Sequence, residues 1–269
     1  MLLPQTLLLT ICLLCSSLFT VSAETLTLGV VPQQAATKLL RDWVPLLQVV
    51  EQQAGVKIRF ATAPSIPVFE ERVAAGEYDI VYMNPYHFTV FNDDPGYTAI
   101  AKAERSAITG IMVVRQDSRY ESLKDLTNTT LAFPAPKAFA ATLLTQANLN
   151  KENIPFEPKY VGSHDAVYRG VAAGLFPAGG GINRTLNTLE PEVRDQLRVL
   201  WTSPGYTPHA IAAHPDLAAD LRQRIQDALI SVKHSPDADR VLNPLGISGF
   251  MSAECADWDD VRALAINPY

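Results

Sequence analysis

Tyr78-Asp-Ile-Val-Tyr-Met-Asn-Pro-Tyr-His-Phe88 is the stretch on which the fold turns. Tyr78 to Met83 reads as a strand entering a buried sheet, and the polar and aromatic group Asn84-Pro-Tyr-His87 stands at its carboxyl end. Upstream, Val68 to Ala75 reads as a short helix closed by Gly76, and Val56 to Phe60 as a strand. Before these, Leu39, Leu40, Trp43, Leu46, Leu47, Val50 and Ala54 recur at helical spacing, with a kink or break expected near Val44 because Pro45 follows it. Thr25 to Val31 alternates and then turns continuously apolar, which suits a first strand. Strands alternating with helices imply an α/β fold whose sheet is parallel and covered on both faces.

The pattern starts again downstream. Ile108 to Arg115 is a strongly apolar strand, Ser122-Leu-Lys-Asp125 resembles a capping box, and Thr130 to Phe133 precedes a helix expected from Ala138 to Ala147. Lys159 to Val161, Ala166 to Ala173 and Arg198 to Trp201 continue the series, which reads as a second domain. The last third is helical: Leu217, Leu221, Ile225, Ala228, Leu229 and Val232 form one stripe after His214-Pro215-Asp216, and Trp258, Val261 and Leu264 another. No long Pro/Gly/Ser linker divides the chain, so the junctions near 106–109 and 203–209 are short crossings, as a hinged pair of lobes requires.

Composition narrows the function. With 269 residues, 48% of them hydrophobic and 19% charged, the chain can bury one large core or two medium ones. Lys and Arg number 22 against 28 Asp and Glu, a net charge of −6 without any dense basic cluster, which disfavours nucleic acid as a partner. Met1 to Ala23 has no charged side chain, is almost wholly apolar from Leu7 to Leu14 and ends in Val21-Ser22-Ala23, so residues 1–23 read as a cleavable secretory signal peptide and the mature chain as periplasmic. Cys12 and Cys15 fall in that leader, which leaves Cys255 alone and no intramolecular disulfide.

The chain carries no G-x-S-x-G, H-E-x-x-H or Walker A pattern, and its five histidines hold no metal-ligand spacing. A non-enzymatic protein without cofactor or metal is therefore expected. Gly179-Gly180-Gly181 is either an anion-approaching turn or a flexible one. Ligands of open α/β sheets bind beyond the carboxyl ends of strands. Gln33, Ser65, Asn84, Tyr86 and Lys137 all follow strand ends and converge on one cleft.

Gly29-Val-Val-Pro-Gln33 with Trp43 and Pro45, the 78–88 stretch, and Gly162-Ser-His-Asp165 with Val167 and Val171-Ala-Ala-Gly174 together resemble the periplasmic phosphonate/phosphate/phosphite-binding proteins of ABC transporters. The resemblance spans the mature chain and implies a two-lobed type II periplasmic-binding-protein fold, each lobe a mostly parallel sheet flanked by helices, with a double hinge. Lobe 1 would comprise 24–107 and 210–269, and lobe 2 residues 108–209. It also implies a small anionic ligand, a phosphonate, phosphate or phosphite, and a monomer that docks on an ABC permease or, alternatively, on a membrane sensor. The expected ligand-lining residues are Gln33, Ser65, Asn84, Tyr86, Lys137 and His164, with Lys137 as charge, His164 and Asn84 as hydrogen-bond partners and Tyr86 as a wall. Lys137 could equally be a solvated helix-start lysine, His164 a capping residue, and Tyr82 and Tyr86 core aromatics. The family's Ser/Thr-rich turn is matched here by Phe133-Pro-Ala-Pro-Lys-Ala-Phe-Ala-Ala141, without a hydroxyl before Thr142.

Overall fold

The computed structural model describes residues 25–266, so the expected signal peptide and its two cysteines lie outside the described residues. Strands β1 (Thr25–Val30), β2 (Lys57–Ala61), β3 (Ile80–Met83) and β4 (Thr98–Ala103) begin one sheet. After a crossing the chain builds a second sheet from β5 (Gly110–Arg115), β6 (Thr129–Phe133), β7 (Phe156–Tyr160), β8 (Ala178–Ile182) and β9 (Leu197–Thr202). It then returns and completes the first with β10 (Ala210–Ala213) and β11 (Phe250–Ser252). The strand orders are β11-β4-β10-β3-β1-β2 and β7-β6-β8-β5-β9. Each sheet with its flanking helices forms one α/β lobe.

Both sheets are mixed rather than mostly parallel. β1 pairs in parallel with β2 and β3, and β6 with β7 and β8, as strands joined by helical crossovers do. β10 runs antiparallel to β3 and β4, and β5 antiparallel to β8 and β9. Two of these antiparallel strands, β5 and β10, are the first that the chain enters after each crossing. A strand reached from the other lobe, with no helix over its own sheet to turn the chain around, is under no obligation to run parallel.

Helix α1 (Ala36–Ala54) is unbroken at Pro45. Its buried stripe of Leu39, Trp43, Leu46, Leu47 and Val50 lies on both sides of the proline, and this shared packing outweighs the roughly 3 kcal/mol that an interior proline costs. Gly55, in the left-handed region at φ 66°, ends it. Helix α2 (Ile66–Ala74) is capped by Ser65, whose Oγ accepts from Val68 N at 3.4 Å. Helix α3 (Pro85–Asp93) is capped by Asn84, whose Oδ1 accepts from His87 N at 2.8 Å.

In the second lobe, β5 splits its side chains by the two-residue period of a strand. Met112 and Val114 join a cluster with Leu131, Phe133 and Leu149, while Ile111 and Val113 join Tyr168 and Val171 on the other face. Both faces are covered, which explains the uninterrupted apolar run. Helix α4 (Phe139–Lys151), whose first six residues are wound as a π-helix, lies against this sheet. Gly179 to Gly181, expected as a turn, form the middle of β8. Glycine is required there by close approach: a Cβ on Gly180 would overlap Ala141 O of α4, and one on Gly181 the Tyr168 ring. Helices α5 (His164–Ala172) and α6 (Asn183–Asn187) complete the frame of the site. Helix α8 begins only at Ala219 and runs to Ser231, after helix α7 (Pro191–Arg194); His214-Pro215-Asp216 forms a turn ahead of it.

Two segments, 104–109 and 203–209, join the lobes. They pair with each other: Ile108 N donates to Tyr206 O at 2.8 Å and Tyr206 N to Ile108 O at 3.0 Å. Two such adjacent crossings are the place where a hinge between lobes lies in two-lobed folds.

Candidate ligand site between the lobes

The loop after β1 delivers Gln33 into the seam. Its backbone is held from the second lobe, since His164 N donates to Gln33 O at 2.9 Å. Its side chain is buried and makes contacts in two directions. Nε2 lies 2.9 Å from His209 Nε2 on the second crossing, and Oε1 accepts a short hydrogen bond from the Arg184 guanidinium of α6. An amide nitrogen can only donate, so His209 Nε2 must be the acceptor and the ring neutral. Burial pushes His209 well below the usual histidine range, and the Arg184 charge adds to that. Tyr82, at the end of β3, stacks on His209 with ring centroids 5.0 Å apart and planes 15° apart, and Arg184 lies 5.7 Å over the same Tyr82 ring.

Arg184 has a further property. Among the described residues no carboxylate forms an ion pair with it. It is a half-buried cation whose partners are an amide oxygen and an aromatic face. Such a guanidinium keeps N–H donors that can serve an anion.

His164 opens α5, but Ser163 is the capping residue: its Oγ accepts from Ala166 N at 3.1 Å. The imidazole is buried, with Nδ1 3.2 Å from Thr185 Oγ1, and burial followed by the Arg184 charge drives it down to about 3. It is a neutral hydrogen-bonding group. Asn84 reaches across the seam from the first lobe, where its Nδ2 donates to Lys137 O at 3.2 Å. Gln33, Asn84 and His164 thus line one small interlobe cavity with Ala138 to Ala141, the start of α4. The first N–H groups of a helix have no partner within it.

The other three expected residues lie elsewhere. Ser65 spends its hydroxyl on the α2 cap, and its neighbour Ile66 lines the cavity instead. Tyr86 is buried, and with Lys137 it borders a separate cavity between α2 and α3, where it packs as a core aromatic. Lys137 Nζ stands 3.6 Å from Glu70 Oε2, and Glu70 Oε1 is 3.0 Å from His87 Nε2. Burial raises the Glu70 carboxyl, but His87 and Lys137 outweigh it and hold the group below the ordinary carboxylate range. Lys137 therefore has an acid beside it, which Arg184 does not.

Arg184 and His209 were not singled out from the sequence. Arg184 follows the Gly179–Gly181 run closely, and that run does not by itself mark a cation site. His209 carries none, because its role depends on where the return crossing passes.

Two α/β lobes joined by a double crossing define the type II periplasmic-binding-protein fold. A family model described as ABC transporter, phosphonate, periplasmic substrate-binding protein matches residues 28–258, and the chain belongs to that family. It is 22% identical to the phosphate-import protein PhnD of Mycolicibacterium smegmatis, over 91% of this chain and 81% of the relative. It is also 22% identical to the phosphonates-binding periplasmic protein of Escherichia coli, over 90% of this chain and 76% of the relative. Among solved structures, PhnD1 of Prochlorococcus marinus in complex with methylphosphonate superposes with a TM-score of 0.82 at 18% identity, covering 90% of this chain and 97% of that one. The binding protein of an ABC phosphonate transporter from Pseudomonas aeruginosa gives 0.83 at 18% identity, covering 90% and 86%.

Proposed function

We propose that this chain captures a small phosphorus oxyanion, a phosphonate, phosphite or phosphate, between its lobes in the periplasm and presents the closed form to an ABC permease, acting as a monomer and without catalysing a reaction. Residues 24–107 with 210–269 would move as one lobe and 108–209 as the other. The single observation that carries the ligand class is Arg184, a half-buried seam cation with no carboxylate paired to it among the described residues. Gln33, Asn84, His164 and His209 add neutral hydrogen-bonding groups, so among these residues Arg184 alone brings a charge and balances one negative charge of the ligand. The relatives support the same class: one is a phosphate-import protein, one a phosphonates-binding protein, and one is solved with methylphosphonate.

A thermal-shift series with phosphite, phosphate, methylphosphonate and sulfate tests this. A bound ligand at 100 times its Kd adds about 2.7 kcal/mol to the unfolding free energy, which a melting curve resolves. A rise with at least one phosphorus oxyanion and none with neutral controls is expected; no rise with any of them would remove the ligand assignment. Gel filtration with light scattering reads the oligomeric state, and a dimer mass would contradict the monomer.

A further inference from the structure

Two cavities lie in the seam, and their linings carry very little charge. The larger, about 100 Å³, is bordered by Tyr82, Thr109, Asn183, Arg184 and His209, and the smaller holds Gln33, Asn84 and His164. Both histidines are buried and held neutral, and burial keeps the Tyr82 phenol protonated. Among the described residues Arg184 is the one charged group on either lining, and no Asp or Glu borders them.

The acids next to these linings face elsewhere. Glu104 follows the lining residue Ala103 and holds Lys233 Nζ at 2.5 Å. Asp165 follows His164, accepts from Ala35 N at 3.2 Å and borders an outer groove shared with Lys38, Arg41 and Arg169. Glu70 is shared by His87 and Lys137. Two side-chain oxygens close at hand already accept hydrogen bonds: Gln33 Oε1 from the Arg184 guanidinium and Thr109 Oγ1 from Asn183 Nδ2 at 3.1 Å. A ligand enclosed here meets a guanidinium and uncharged groups. An ammonium on that ligand would lose its water without gaining a carboxylate, and would face a like charge.

We infer that Arg184 selects the substituent of the ligand as well as attracting its oxyanion: the site takes phosphonates whose substituent is uncharged and rejects zwitterionic ones that carry an ammonium group beside the phosphonyl. The inference rests on the oxyanion reading of the Arg184 site and adds a repulsive element to it. Specificity is a difference of affinities, and a fixed cation with no acid near it lowers the affinity for a cationic substituent while leaving that for a neutral one in place. Methyl-, hydroxymethyl- and aminomethylphosphonate are close in size, so charge and polarity can be read separately.

Isothermal titration of the full chain and of its Arg184→Gln and Arg184→Lys variants against these three phosphonates, phosphite and phosphate tests the inference, in mildly alkaline buffer where the phosphonyl groups are doubly ionised and the amine stays protonated. The original protein is expected to bind both methyl- and hydroxymethylphosphonate at least about tenfold more tightly than aminomethylphosphonate. Arg184→Gln should narrow that ratio to within about threefold, and Arg184→Lys, which keeps the charge, should hold it above about fivefold. Should a variant fail to fold or bind too weakly to titrate, the hydroxymethyl-to-aminomethyl ratio of the original protein decides. A ratio near one in the original protein would overturn the inference and leave the oxyanion reading intact, as would an unchanged ratio in Arg184→Gln. Equal weakness of the hydroxymethyl and aminomethyl ligands would mean that polarity and not charge is rejected, and binding of phosphite or phosphate alone would mean that size decides; either overturns the inference only. Failure to bind any of the five would overturn both.

Discussion

Lys137 and Arg184 both reach the seam between the lobes, and they differ in one respect. Lys137 comes from the loop after β6 and sits 3.6 Å from the Glu70 carboxylate of the facing lobe. Arg184 comes from helix α6, directly after β8, and meets an amide oxygen and a tyrosine ring. The first is an ion pair that holds the lobes together at the outer end; the second is an unbalanced charge near the hinge. The difference teaches that position at a strand end does not make a cation a ligand residue. What counts is whether the opposite lobe already supplies its counter-charge, and a carboxylate that does so leaves little attraction for an incoming anion.

The largest effect expected from this contrast is at Arg184. Arg184→Ala should weaken binding of whichever phosphorus oxyanion the protein takes by roughly 10- to 100-fold, the worth of a charge-assisted hydrogen bond. An affinity within threefold of the original would erase the distinction between the two cations. Arg184→Lys keeps the charge but loses the fork geometry and should recover only part of the loss.

A second contrast lies in pH. His164 has a folded-state pKa of about 3 against an ordinary 6.5, so the unfolded chain takes up a proton that the folded chain refuses. Its contribution to stability is complete above the ordinary value and is lost as pH falls from about 6.5 toward 3. Between pH 7 and pH 4.5 this amounts to roughly 2–3 kcal/mol from His164, and His209 acts in the same direction. Urea titrations at the two pH values should show a smaller difference for His164→Gln than for the original protein. Equal pH slopes would mean that the imidazole is already protonated in the fold.

The smallest effect is expected at the outer end. The Lys137–Glu70 pair is partly exposed, and such pairs contribute about 1 kcal/mol or less. Lys137→Ala should therefore change anion affinity by less than about fivefold, and a loss as large as that from Arg184→Ala would place Lys137 back among the ligand contacts.

Much of the architecture was legible because burial leaves periodic marks. The stripe from Leu39 to Ala54, the apolar β5 and the run ending at Met83 appear where their spacing indicates, to within a few residues. The antiparallel strands β4, β10 and β11 were not legible. β10 and β11 are short, and the pairing of all three joins segments more than 100 residues apart, as when Ala210 of β10 aligns with Lys102 of β4. No local period records such a partner. Gly179 to Gly181 misled for a related reason, since the need for glycine comes from the Ala141 carbonyl and the Tyr168 ring, both distant in sequence.

Within the site, Gln33, Asn84 and His164 were accessible to a reading of strand ends, and the structure brings them to one cavity. Ser65, Tyr86 and Lys137 share the same kind of position but turn to a helix cap, a core contact and an ion pair. The order of residues along the chain determined the two α/β lobes, the family and the lack of known catalytic motifs, because hydrophobic period and short motifs are local properties. Only the tertiary structure decided which cation lacks an acid and which histidines are held neutral. These are properties of groups that meet across two lobes, and charge compensation and desolvation have no value until the groups are brought together.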